Sequence, residues 1–111
     1  MSNESVVFSR IGEIAERLAQ RGGAYLEFLR VPSMSAGVYV LAAGAIDGQV
    51  PHQQDELYYV LRGKARMTAG DQDQAVGEGS LIFIAAHVQH RFYEIQEEIV
   101  LLVLFAPAET E

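Results

Sequence analysis

The sequence of 111 residues contains no cysteine. Disulfide bonds, thiolate metal sites and a cysteine nucleophile are therefore excluded together. Any metal ion bound by this protein must be held by nitrogen and oxygen ligands. Imidazole nitrogen can come from only three histidines.

Positive charge is also scarce. The chain has eight Lys and Arg residues against fifteen Asp and Glu residues, and its formal net charge is -7. Proteins that bind nucleic acid usually carry clustered Lys and Arg side chains that contact the phosphate backbone. Because the basic residues of this sequence are scattered, no nucleic-acid partner is expected.

Long apolar segments are missing as well. The longest apolar run extends from Ile99 to Ala108, counting Pro107. A membrane-spanning helix needs ~20 apolar residues, about twice that length. The N-terminal stretch MSNESVVFSRIGEIAERL has charges at short intervals and lacks the apolar centre of a signal peptide. These features predict a soluble cytoplasmic protein without a membrane partner.

One segment near the N-terminus has the periodicity of a helix. Apolar residues recur at helical intervals from Ile11 to Leu18, Ser9 is a candidate N-cap, and Gly22-Gly23 ends the pattern. We therefore predict an N-terminal segment, residues 1–23, that contains one short helix.

The rest of the chain has the pattern of β-strands. The runs SLIFIA and EIVLLVLFA hardly alternate between apolar and polar residues, so both faces of those strands should be covered. About eight strands are expected, and together they predict a single all-β domain over residues 24–111, either a double-sheet barrel or a jelly roll. Residues typical of turns separate the runs: Pro32-Ser33, Asp47-Gly48, Gly63-Lys64, Gly70-Asp71 and Gly77-Glu78-Gly79.

The stretch PHQQDELYYVLRG places a histidine shortly before a glutamate that opens an apolar run. His52 and Glu56 are separated by an even number of positions, so on an extended strand both side chains would face the same way. Two ligands of one metal ion need such a shared face.

This stretch resembles the first sequence motif of the cupins, a family of small β-barrel proteins. In that motif two histidines one residue apart precede a glutamate by three or four residues, and a glycine follows after six more. His52, Glu56 and Gly63 match the second histidine, the glutamate and the glycine, whereas Val50 stands in place of the first histidine.

The stretch GSLIFIAAHVQHRFYE resembles the second cupin motif. Gly79 and His90 match its glycine and histidine. The resemblance covers roughly residues 36–105, and the short spacing between the motifs is similar to that of compact bacterial cupins. It implies a double-stranded β-helix, the RmlC-like jelly roll. Three positions differ from the family pattern: Ala85 replaces proline, His87 replaces glycine and Glu94 replaces asparagine.

The resemblance also implies a metal site inside the barrel. Carried over by position, the ligands are His52, Glu56 and His90. Two imidazoles and one carboxylate leave coordination positions for water or substrate and suit a divalent transition metal such as Fe(II), Mn(II), Zn(II) or Ni(II). The missing histidine at position 50 leaves a further position open.

Other side chains have the strand parity to lie near these ligands. Gln54 is expected to contact a metal-bound water rather than the ion, since amides are weak ligands for transition metals. Tyr58 shares the parity of Glu56, and Glu94 shares that of His90, so both are candidates to move protons. For Glu94 we expect a place at the mouth of the barrel. Phe92 is expected to fill the core.

Two classes of function are consistent with this sequence. The first is a metal-dependent enzyme acting on a small molecule, as an oxygenase, isomerase or decarboxylase. The second is a non-catalytic barrel that holds a small ligand or a metal for sensing or storage. A metal-free, epimerase-like or sugar-binding barrel is a third reading, but we identify no dedicated His-Asp or Tyr pair for it.

Association into a homodimer is also expected. The strands AYLEFLRV and EIVLLVLFA carry more apolar surface than one barrel can enclose. Pairing two copies across a two-fold axis would remove that surface and the strand edges from water.

Overall fold

The computed structural model describes residues 5–48 and 51–110. In this part of the chain one helix and six strands form, and every strand pair is antiparallel. The prediction of an all-β jelly roll with one short helix is confirmed. The elements are α1 Ile11–Arg21, β1 Tyr25–Val31, β2 Met34–Leu41, β3 Asp55–Ala69, β4 Gln72–Gly77, β5 Leu81–Ile84 and β6 His90–Ala106.

Two long strands, β3 with 15 residues and β6 with 17, run through both halves of the barrel. The first half of β3 pairs with β5 and with the end of β6, from which the sheet continues through β2 to β1. Its second half pairs with β4 and with the start of β6. The register between β3 and β6 shifts repeatedly from Val60 to Arg66, where both strands bend.

This bend explains why the described chain has six strands rather than about eight. The sequence pattern places a turn at Gly63-Lys64, but β3 continues through these residues. The predicted turns at Pro32-Ser33 and Gly70-Asp71 are confirmed. A glycine can therefore mark a bend inside a strand as readily as the end of one.

Apolar side chains lie on both faces of the sheet. The interior of the barrel is filled by a buried cluster that includes Tyr58, Met67 and Phe92. On the outer face, Ile14 and Leu18 of α1 pack with residues of β2 and β6 in a second cluster. The helix thus covers part of the outer surface that the non-alternating strands expose.

The helix ends as predicted but begins differently. Gly22 is the C-cap, with φ 87°, a conformation that glycine adopts without strain. The N-cap is Arg10 rather than Ser9, and no side chain of the described residues caps the first turn. Packing of the apolar face therefore stabilises this short helix more than capping does. Among the described residues, no helix has the length and hydropathy needed to cross a membrane.

Candidate metal centre

Three side chains of the types that bind metal ions converge inside the barrel. His52, Glu56 and His90 each offer one ligand atom, and these atoms all lie within 4.8 Å of one another. The side chains of Glu56 and His90 are each 1% exposed, and that of His52 is 16% exposed. Residues far apart in the chain thus meet because the sheet folds over between its two halves.

The sheet positions Glu56 and His90 directly. Glu56 lies opposite Phe105 of β6 and Ile84 of β5, both of which are buried, so its side chain faces the interior. His90 is the first residue of β6 and lies opposite Ala69. Strand alternation therefore sets the direction of both ligands.

His52 faces the same cavity for a different reason. It lies in the loop before β3, which begins only at Asp55, so strand parity does not orient it. Its carbonyl oxygen accepts a hydrogen bond from the His87 backbone N–H at 2.7 Å, and its ring packs edge-on against Phe105 at 4.9 Å. These contacts with the β5–β6 turn and with β6 hold the loop over the site.

The two ring nitrogens of His90 have different partners. Nδ1 lies 2.9 Å from the carbonyl oxygen of Val88, which can only accept, so Nδ1 carries a proton. Nε2 lies 3.1 Å from Oε1 of Glu56 and 3.2 Å from the Tyr58 hydroxyl. In a neutral ring the Nε2 lone pair would therefore face a carboxylate oxygen, a repulsion that a bound cation or a proton would relieve.

The carboxylate of Glu56 supports the same conclusion. Both of its oxygens are buried, and neither accepts a hydrogen bond of good geometry from the described residues. A buried charge without compensation is costly, so such carboxylates are paired or coordinate a metal. The donor set of two imidazoles and one carboxylate suits a divalent transition metal with open coordination positions. These residues therefore fit the metal that the fold family commonly binds.

The charges around His90 act on its protonation. Burial lowers the pKa of His90, but the contact with Glu56, the Val88 carbonyl and the charges of Glu56 and Asp47 outweigh it. The net effect is a pKa above the usual value. Without a metal ion, a proton on Nε2 can thus take the place between imidazole and carboxylate.

A cavity of about 220 Å³ opens beside His52 and Glu56. A larger cleft, about 500 Å³, lies between β4 and β5 and contains none of the predicted ligands, so the candidate site opens into the smaller cavity. The residues that line the smaller cavity are Tyr25, Tyr39, His52, Glu56, Val103, Phe105 and Glu109.

Tyr25 and Glu109 were not expected at this cavity. The Tyr25 hydroxyl oxygen is buried and makes no hydrogen bond within the described chain. Burial and the negative charges of Glu109, Glu27 and Glu56 raise the pKa of Tyr25, which keeps the hydroxyl protonated. The signal that could have revealed it is Gly37, since an added Cβ there would lie 2.3 Å from Tyr25 Cζ.

Glu109 follows the last strand and bears no sequence signal of a role. Its Oε2 lies 3.2 Å from Nδ1 of His52. Burial is the main reason that the pKa of Glu109 is raised, while the neighbouring His52 opposes that shift. Its position depends on how the C-terminal segment packs, which local pattern does not encode.

The other predicted site residues have varied positions. Tyr58 is fully buried, contacts His90 and packs edge-on against Phe92 at 5.2 Å, and Phe92 fills the core as expected. Gln54 is buried, but its amide Nε2 donates to Thr110 Oγ1 at 2.7 Å and does not join the ligand group. Val50 lies outside the described residues.

The inward orientation inferred for Glu94 is wrong. Glu94 is exposed, has φ 46° and lines a surface hollow with Lys64 and Arg66. Between the pairs Lys64–Glu97 and Arg66–Tyr93, β6 contains two more residues than β3. This bulge reverses the alternation after Phe92, so that Ile95 is buried and Glu94 faces away from the metal ligands.

Comparison with known proteins agrees with this architecture. The sequence model of the cupin domain matches residues 37–106. An antiparallel jelly-roll barrel defines the fold class, and the chain belongs to the cupin family. Cupins commonly bind metal, and this chain brings a His-Glu-His group together.

A curated relative and several solved structures are similar to this chain. An uncharacterized protein of Streptomyces coelicolor, SCO3923, is 44% identical over 101 residues, which are 91% of this chain and 96% of the relative. The crystal structure of TT1209 from Thermus thermophilus matches with a TM-score of 0.67 and 24% identity, covering 85% of this chain and 94% of that one.

Two further crystal structures share the fold at lower identity. KdgF from a Halomonas species matches with a TM-score of 0.68 and 18% identity, covering 75% of this chain and 76% of that one. The DMSP lyase DddQ from Ruegeria pomeroyi matches with a TM-score of 0.67 and 21% identity, covering 75% of this chain and 47% of that one. These likenesses show the fold alone, so the chemistry must be argued from the site.

Proposed function

We propose that this cupin binds one divalent transition metal ion through His52, Glu56 and His90 and catalyses a metal-dependent reaction on a small molecule. The observation that supports this most directly is the buried contact between His90 Nε2 and Glu56 Oε1, at 3.1 Å. A cation held by these two side chains would compensate the carboxylate charge and use the Nε2 lone pair. The bound ion would supply Lewis-acid chemistry to an oxygen atom of the substrate.

The residues of the cavity define how a substrate would be held. The protonated Tyr25 hydroxyl has no partner in the described chain and can donate to an oxygen that gains negative charge during reaction. Tyr58 lies against Nε2 of His90 and is placed to orient that ring. A volume of about 220 Å³ limits the substrate to a small molecule. This arrangement suits oxygenation, isomerisation or decarboxylation of a small oxygen-bearing compound.

The metal and the reaction can be tested together on the purified protein. Elemental analysis without added metal should find close to one transition-metal ion per chain, ~1 equivalent as for other three-ligand catalytic sites. Turnover of diketones, catechols and sugar acids would then be followed by NMR. If wild type converts one of these compounds and Tyr25→Phe lowers the turnover on the order of 100-fold, the donor role of Tyr25 is supported. Protein that takes up no Fe, Mn, Zn or Ni would contradict the proposal.

A non-catalytic binding barrel predicts a different result from the same experiment. Such a protein would retain the metal and bind a small ligand in the cavity but would convert no compound of the panel. Metal content thus tests the site, and turnover tests whether the site is catalytic.

The cytoplasmic location stays a prediction of the sequence.

We further propose that two copies associate through an apolar patch on the outer face of the sheet. Leu81 and Phe83 of β5 are 67% and 64% exposed. Their partners across the strands, Tyr59 and Leu57, share that face. The apolar surface of β1 is not part of the patch, because its outer residues pack in the cluster around α1. Burying the patch against a second copy would remove it from water.

Sedimentation velocity at micromolar concentration tests this association. Wild type should sediment as a dimer and Phe83→Asp as a monomer, since a charge would be placed inside the interface. Val31→Asp is the matched control, because Val31 is also exposed but lies on β1, at the opposite end of the strand order. A monomeric wild type, or a dimer unaffected by Phe83→Asp, would exclude this interface.

A further inference from the structure

The C-terminal segment, residues 107–110, follows β6 and passes beside the metal-ligand cavity. Glu109 lines that cavity with Tyr25, His52 and Glu56. The segment is held by hydrogen bonds to β1, to the β1–β2 turn, to β2 and to the loop before β3. These bonds are Ala108 N–H to Pro32 O at 3.4 Å, Glu109 N–H to Ser35 Oγ at 2.9 Å, Arg30 Nη2 to Glu109 O at 2.8 Å and Gln54 Nε2 to Thr110 Oγ1 at 2.7 Å.

The backbone of Glu109 is held from both sides by these bonds. Its N–H donates to Ser35, which is fully buried, and its carbonyl oxygen accepts from Arg30. The direction of the side chain is therefore set by the fold. Its carboxylate Oε2 comes within 3.2 Å of His52 Nδ1, with the side chain of Glu109 25% exposed and that of His52 16% exposed.

This contact determines which His52 nitrogen can bind a metal. A carboxylate can only accept, so a hydrogen bond to it requires a proton on Nδ1 and leaves the lone pair on Nε2. His90 is held in the same way, with its Nδ1 against the Val88 carbonyl. In both imidazoles Nδ1 thus lies beside an oxygen acceptor.

We propose that Glu109 is a positioning residue that holds His52 in the orientation and tautomer required of a metal ligand. This rests on the metal site proposed above. His52 needs such an anchor more than His90, because it lies in a loop, whereas His90 belongs to a strand. The sequence has valine at position 50, where the family pattern has its first histidine, so no other imidazole of this motif shares the task.

The expected effect follows from carboxylates that orient metal-binding histidines in other proteins, whose removal weakens metal binding about 10–100-fold. Glu109→Ala should therefore weaken Zn²⁺ binding by about that factor. Glu109→Gln keeps an acceptor oxygen but loses the charge, so its effect should be smaller. Glu97→Ala is the matched control: Glu97 is 61% exposed, pairs with Lys64 on the outside and should leave the affinity unchanged.

A second readout separates positioning from general stabilisation of the segment. Long-range ¹H–¹⁵N correlation spectra of metal-free protein should show His52 protonated on Nδ1 in wild type and a mixture of tautomers in Glu109→Ala. Thr110→Ala removes one anchor of the segment but keeps the carboxylate. It should preserve the tautomer and most of the affinity.

The experiment titrates metal-free wild type and each variant with Zn²⁺ against a chelating dye. Wild type that binds no Zn²⁺ would overturn the proposed metal site itself. If wild type binds Zn²⁺ and Glu109→Ala binds it with the same affinity, only the role of Glu109 is overturned. The role of Glu109 would also be overturned if Thr110→Ala and Glu109→Ala lost the same affinity with His52 in the same tautomer in both. Packing of the C-terminal segment against the barrel would then explain the effect.

Discussion

Replacing His90 with alanine is expected to reduce the metal content from about one ion per chain to background. The substitution removes one of the three side chains whose ligand atoms lie within 4.8 Å of one another in the described chain. The loss of affinity should exceed the ~10–100-fold that changes around a ligand cause. Elemental analysis of the purified variant, followed by Zn²⁺ titration, measures both quantities.

The same substitution leaves the Glu56 carboxylate buried without its neighbouring imidazole. Removing one partner of a buried charged pair costs about 3 kcal/mol, so the metal-free variant should unfold at lower denaturant concentration. If the alanine variant does not fold, His90→Gln fills more of the space and still lacks the imidazole. Circular dichroism confirms the fold before the metal is measured.

His87 supplies the matched control for this experiment. It is the remaining histidine of the chain, lies in the turn before β6 outside the ligand group and has φ 71°. Because asparagine tolerates positive φ better than alanine does, His87→Asn removes an imidazole with little strain. It should retain the wild-type metal content. A His90 variant that also keeps one ion per chain would refute the proposed ligand set.

The second large effect is expected for Gly63→Ala. Gly63 has φ 108°, and an added Cβ would lie 2.3 Å from the carbonyl oxygen of Glu98 and 2.5 Å from Cα of Ile99. Both atoms belong to the backbone of β6, so no side-chain movement can relieve the overlap. We expect a loss of about 4 kcal/mol or more in the free energy of unfolding.

Gly79→Ala separates backbone strain from steric overlap. Gly79 has φ 88°, and no atom of the described residues lies within 4 Å of an added Cβ. Its substitution should cost only the strain of a positive φ, about 1–2 kcal/mol. Urea denaturation measures the free energy of unfolding of both variants. If Gly63→Ala does not fold, the yield of soluble protein is compared instead. Equal free energies of unfolding for the two variants would contradict the close contact between Gly63 and the backbone of β6.

Much of the site could be predicted because two strands alternate regularly in its neighbourhood. Glu56 and His90 face inward as their strand positions indicate, and the motif resemblance joined them to His52 although the intervening chain is long. Glu94 was misplaced because the bulge in β6 changes the alternation only a few residues after His90. No local pattern distinguishes such a bulge from a continuous strand.

The sequence by itself determined the class of fold, the short helix and the chemical types of the three candidate ligands. These follow from local periodicity, from turn residues and from motif spacing, which depend on neighbours along the chain. Only the tertiary structure decided that the loop carrying His52 turns inward and that Tyr25 and Glu109 complete the cavity. Their positions depend on packing between segments far apart in sequence, and no local preference records those contacts.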